Sequence, residues 1–179
     1  MRAGVLGRLQ ALQALRSRRG LHRPLAPGRV GLRHQRGGDH LALFKDDQEV
    51  YETIGKLFQD LATDDELAPK FRRANTIVQY RYRDPEATIT LRLREGESGD
   101  VDLGETGMEP EVTMSMEADT AHRFFLGKVN VTTALARGQI KASGPVAKIL
   151  KLVPLTKPIF PRYKAQLEAQ GRQDLVDVA

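Results

Sequence analysis

The sequence predicts an α+β fold in which closely spaced strands form an antiparallel sheet with one protected face, flanked by helices at both ends of the domain. Three observations lead there. Short segments between residues 76 and 117 alternate apolar with polar side chains at period two. Segments with helical apolar spacing, opened by Asp or Asn, lie before and after them. Gly and Pro clusters separate these segments at intervals too short for the long crossovers of a parallel sheet.

The first helix starts where Asp46 or Asp47 can accept from free backbone N–H groups, and its buried stripe is Val50, Ile54, Leu57, Phe58 and Leu61. Asp64 caps a second turn or short helix ending near Arg73. Residues 76–82 alternate as a strand until Asp84-Pro85 breaks it. Ala87, Ile89, Leu91 and Leu93 alternate with Thr88, Thr90, Arg92 and Arg94, so the second strand has one dry and one wet face, and residues 96–99 turn it. Val101 and Leu103 mark a third strand. After Gly104 and Gly107, Val112, Met114 and Met116 alternate with polar neighbours in a fourth, which completes the expected antiparallel meander.

Asp119 or Thr120 caps a helix through Phe125, Asn130 caps another over residues 132–137, and residues 139–143 suit a fifth strand. Gly144-Pro145 opens a helix over 146–152. Pro154, Pro158 and Pro161 interrupt the chain beyond it, and a last helix runs over 162–171. The domain is therefore expected over 41–171, with an extension at 1–40 and a tail at 172–179.

The net charge of +5 would point to nucleic acid if it were spread over the domain. It is not. Residues 1–40 hold nine arginines and one acid, Asp39, whereas 41–179 hold 19 basic and 22 acidic residues. Within the domain, 41–119 are net −10 and 120–179 net +7, so the basic C-terminal third is the part suited to anionic membrane surfaces, and no nucleic-acid partner is expected. The extension reads as disordered; an upstream start codon assigned too early, an organelle-targeting segment and an arm for nucleic acid or anionic lipid are the alternatives, the first favoured. Having no core of its own, it should be dispensable: a chain starting at Leu41 is expected to lose no more than about 1 kcal/mol of stability in denaturant titration.

Cysteine is absent, which excludes disulfides, thiolate nucleophiles and thiolate metal sites and suits a reducing, cytoplasmic setting. No run of about 18 apolar residues predicts a membrane-spanning helix. Catalytic and metal sites find little support. His122 is the one histidine beyond residue 40, and with Asp119 it sits at a helix start, where capping accounts for both. Ser98, Ser115 and Ser143 lie in no nucleophile elbow. Gly127-Lys128 lacks the earlier glycine and following hydroxyl of a phosphate loop, and the acids Asp46, Asp47, Glu49 and Glu52 favour a helix N-terminus.

What stands out is apolar. Met114, Met116, Phe124, Phe125, Leu126 and the apolar residues from Ile149 to Phe160 exceed the needs of two surface helices; periodicity alone favours an ordinary core, whereas the stretch Leu150–Phe160, broken by prolines, suits a mobile flap better than a packed helix.

The segment Leu126-Gly127-Lys128-Val129-Asn130-Val131-Thr132-Thr133, continuing to Gly138-Gln139-Ile140-Lys141-Ala142-Ser143-Gly144, resembles the sterol carrier protein family, with Val131 where that family commonly has proline. The likeness spans roughly 46–171 and corresponds to a stand-alone, bacterial-type member. It implies a five-stranded, mainly antiparallel sheet with helices covering one face around an apolar tunnel. It further implies non-catalytic binding and transfer of a sterol, fatty acid or fatty acyl-CoA, with no cofactor and no metal. An accessory module presenting a lipid or isoprenoid to a partner enzyme is the alternative. By position, Met114, Met116, Phe124, Phe125, Leu135, Ile140, Ile149 and Leu150 would line the tunnel.

Overall fold

The Asp46 carboxylate accepts from Glu49 N–H at 3.1 Å and opens α1 (Asp47–Val50) as its position predicts. In the computed structural model, which describes residues 42–96 and 101–178, this helix continues through a π-helical turn, Tyr51–Gly55, into α2 (Lys56–Ala62). The expectations for residues 1–40, and for most of the turn at 96–99, lie outside the described residues. The widened turn sits where the helix meets the sheet edge: a Cβ on Gly55 would lie 2.9 Å from Leu103 Cδ2, so only glycine permits that approach without displacing Leu103. Asp64 accepts from the N–H groups of Leu67 at 2.7 Å and Glu66 at 3.0 Å and starts α3 (Leu67–Arg72); these bonds, with Arg162 alongside, hold its carboxyl below the usual range.

The strands are β1 (Thr76–Arg83), β2 (Ala87–Leu93), β3 (Val101–Leu103), β4 (Val112–Glu117) and β5 (Lys141–Ser143), in the order β3-β2-β1-β4-β5. Three neighbouring pairs are antiparallel, but β4 lies parallel to β1, so the expected meander ends at β3. Period-two alternation is the same for both pairings, which is why the sequence alone does not separate them. Two contacts fix where β4 begins: Glu111 N–H donates to Ile77 O at 2.9 Å, and Thr76 Oγ1 to the Glu111 carboxylate at 3.0 Å.

Register then assigns the faces. Val78, Tyr80 and Tyr82 of β1 stand level with Val112, Met114 and Met116 of β4 and with Leu91, Ile89 and Ala87 of β2, and this face builds the core with the helices. The other face is polar: Gln79 Nε2 donates to Thr90 Oγ1 at 3.2 Å, and Arg81 Nε to Gln79 Oε1 at 2.6 Å.

The helix after β4, α4 (Ala118–Phe125), corrects one expectation. Asp119 does not cap it; the carboxylate is buried and accepts from Leu43 N–H at 3.1 Å, tying the chain ahead of α1 to α4 while Phe44 enters the core. Asn130 does cap α5 (Val131–Ala136), accepting from Thr133 N–H at 3.0 Å. The segment after β5 comprises α6 (Ala147–Leu150) and a 3₁₀ turn, Val153–Thr156. The last long helix, α7 (Ile159–Ala169), begins earlier than Pro161 suggests, because a proline in the first helical turn removes an N–H that would have no partner there.

The packed chain also runs past the boundary expected at Gly171. Residues 173–176 form α8 (Gln173–Val176), whose Leu175 and Val176 are buried. Two apolar residues between aspartates read as a tail; what holds them is His122, 53 positions away.

Candidate functional site

Between the apolar face of the sheet and the helices lies a cavity of about 100 Å³. Tyr80, Leu91, Met114 and Met116 form its sheet side; Phe58 on α2 and Phe125 on α4 face them. Phe58 stacks on Tyr80 at 5.2 Å and meets Phe125 edge-on at 5.4 Å, so an aromatic wall joins β1 to α4 through α2.

Six of the eight residues singled out from the sequence border this cavity: Met114, Met116, Phe124, Phe125, Ile140 and Ile149. Two do not. Leu135 lies one turn beyond Val131 on α5 and stays half-buried against the core outside the cavity. Leu150 is 38% exposed, because Ile149 and Leu152 take the inward side of the same turn and the next position lies about 100° around the helix. Sequence reasoning missed Tyr80, Tyr82 and Leu91 as wall residues. Their alternation is visible, but only the parallel pairing of β1 with β4 sets Tyr80 beside Met114 and Tyr82 beside Met116.

Ile149, Leu152, Val153 and Thr156 form the cavity wall on the α6 side. Entry into this segment passes Gly144 at φ +84°, where a Cβ would sit 2.0 Å from Glu111 O; any side chain there would push the segment off the sheet. A polar tether adds to this. Lys148 Nζ donates to Asn75 O at 2.9 Å and to the Glu111 carboxylate at 3.0 Å, and Arg94 reaches the same carboxylate at 3.2 Å. Lys148, then Thr76 and Arg94, hold the Glu111 carboxyl below its ordinary range.

The cavity's polar groups are few and neutral or cationic. Burial pushes the Tyr80 phenol up to about 12 and raises that of Tyr82 well above 10, where Tyr80 and Tyr163 add to the effect. Arg72 and Arg92 are the cationic ones, and Arg72 Nη2 donates to Ala62 O at 2.9 Å.

His122 does not border the cavity. It is fully buried on α4, with Nε2 2.8 Å from Leu175 O and Nδ1 2.9 Å from Tyr163 Oη. A carbonyl only accepts, so Nε2 carries the proton and Nδ1 accepts from the Tyr163 hydroxyl. Burial, opposed by the Leu175 bond, pushes its pKa down to about 4. Phe44 packs edge-on against the ring at 5.4 Å. Both nitrogens thus hold the fold together, joining α4 to α7 and α8.

The SCP-2 sterol transfer family matches residues 55–157, a span that contains every sheet strand and the α6 segment. Two solved structures share the fold. The apo form of sterol carrier protein 2 from Yarrowia lipolytica aligns with 20% identity over 59% of this chain and 88% of its own, at TM-score 0.50. The sterol carrier protein domain 2 of Helicoverpa armigera aligns with 22% identity over 70% of this chain and 94% of its own, at TM-score 0.51. No curated protein matches the chain.

Proposed function

The chain belongs to the SCP-2 sterol transfer family, and from that premise we propose that it binds an apolar lipid, a sterol or a fatty acyl chain, in the cavity between sheet and helices and carries it without making or breaking a bond. The observation that carries this reading is the cavity itself: an almost wholly apolar space, walled by two methionines and an aromatic cluster, at the centre of a domain this small. Methionine suits such a wall because its unbranched thioether adapts to varied apolar shapes.

At about 100 Å³ the cavity is smaller than the roughly 300–1,000 Å³ of small-molecule sites, so binding requires its walls to part. The α6 segment is the wall that can yield. It is a single helical turn and a 3₁₀ turn, held at one end by Gly144 and the exposed Lys148–Glu111 pair, and exposed ion pairs contribute little, about 0–1 kcal/mol. An empty cavity of this size costs about 2 kcal/mol at roughly 24 cal/mol per Å³. Filling it should recover part of that. Palmitate added to delipidated protein is expected to raise the melting temperature; protein that takes up neither palmitate nor cholesterol, with an unmoved melting temperature, would overturn the proposal.

The same segment gives the route for exchange with membranes. Leu150 is exposed on it, and Lys151 and Lys157 beside it have no ion pair among the described residues, whereas Lys148, Arg162 and Lys164 pair with Glu111, Asp64 and Glu168. Each free lysine near an anionic surface is worth on the order of 1 kcal/mol and is screened by salt. Transfer of a fluorescent fatty acid from vesicles should therefore quicken with phosphatidylserine content and slow with added salt. A rate indifferent to both would rule out docking through this face.

A further inference from the structure

The cavity wall carries a fully buried hydroxyl that makes no hydrogen bond in the fold. Tyr82 is 4% exposed, borders the cavity, and its Oη has no hydrogen-bond partner among the described residues. Buried hydroxyls are nearly always paired, since an unpaired one forfeits its hydration without return. Tyr163, a phenol deep in the same core, obeys that rule and donates to His122. Phenylalanine would fill the Tyr82 position with the same ring and no unpaired oxygen, and Phe already serves that purpose at 58 and 125. The groups whose charge or dipole acts on the Tyr82 phenol are the neutral phenols of Tyr80 and Tyr163, with burial outweighing both. Arg72 and Arg92 also border the cavity, but the groups acting on the Tyr82 phenol include neither of them.

We infer that the Tyr82 hydroxyl is the recognition point for a neutral oxygen on the buried end of the cargo, so that the preferred ligand is a lipid bearing a hydroxyl or carbonyl group that enters oxygen first, rather than a hydrocarbon tail that enters methyl first. A carboxylate is disfavoured there, because one neutral donor cannot offset the burial of a full charge. The site reads along the strand: Met116 lies beside Tyr82 and Met114 beside Tyr80, so an oxygen at Tyr82 leaves the chain of the ligand running along the two methionines. This rests on the cavity being a lipid site, and the test separates the two.

The full chain and Tyr82→Phe are compared for uptake of 1-dodecanol, 2-dodecanone and dodecane, read by calorimetric titration and by native mass spectrometry. Loss of one hydrogen bond from a buried neutral oxygen should weaken dodecanol and dodecanone about tenfold in the variant, while dodecane binding is unchanged or stronger. The unliganded variant should melt at the same temperature as the parent or higher, because an unpartnered hydroxyl stabilises nothing. If the parent binds all three compounds and the variant weakens them equally or not at all, the recognition point is refuted and the lipid site stands. If the parent binds none of them, both fall. A variant that melts lower or fails to fold shows that the hydroxyl is used by the native structure, and that also refutes the inference.

Discussion

Met114→Trp is expected to reduce palmitate uptake by at least about fivefold while leaving the unliganded protein as stable as the parent or more so. Met114 sits at the middle of the sheet wall, level with Tyr80 on one side and Ala142 on the other, and borders the cavity. Its side chain is buried, yet the space beyond it is not filled. An indole grafted there grows into the cavity of about 100 Å³ instead of into packed atoms. A ligand must then displace it or force the walls further apart, and overpacking of that kind costs about 1–3 kcal/mol, which corresponds to roughly 5- to 150-fold in affinity. The same number supplies the counter-test. If Met114 faced a close-packed core, the cost would fall on the unliganded protein, and denaturant titration would show a loss of about 1–3 kcal/mol with no change in ligand uptake.

The second large effect is on stability against pH. His122 is held neutral, its pKa pushed down to about 4 in the folded protein against about 6.5 in an unfolded chain. Between those values the unfolded chain binds a proton that the folded one does not, so stability rises with pH through that window. It is fully present above about pH 6.5 and is lost as the pH falls toward 4, a change of about 3 kcal/mol. The chain holds three further histidines, His22, His34 and His40, so the measurement is a comparison. Denaturant midpoints between pH 4 and 7 should fall steeply with acid in the parent and less so in His122→Gln, which keeps an N–H for Leu175 O but has no group that protonates there. Equal slopes for the two proteins would show that burial of His122 is not what couples stability to pH.

The alternation of residues 76–117, the caps at Asp46, Asp64 and Asn130, and the turn glycines were decided locally, by propensity and by which backbone groups need partners, and the sequence alone determines them. It also determines the apolar excess at Met114, Met116, Phe124 and Phe125, which follows from residue type and spacing. Other features depend on partners far along the chain, and no local rule reaches them. The parallel seating of β4 beside β1 is one: alternation fixes which side chains share a face of each strand but not which strand lies next to it, and with that choice Tyr80 and Tyr82 join the methionines in one wall. Leu150 falls outside the cavity because a single turn cannot turn three neighbouring apolar residues inward. Asp119 and His122 look alike in sequence, a polar pair at a helix start, but one binds the backbone of Leu43 and the other that of Leu175, across 76 and 53 positions. Burying polar groups requires partners at about 3 Å, and only the folded chain determines which distant residue supplies them.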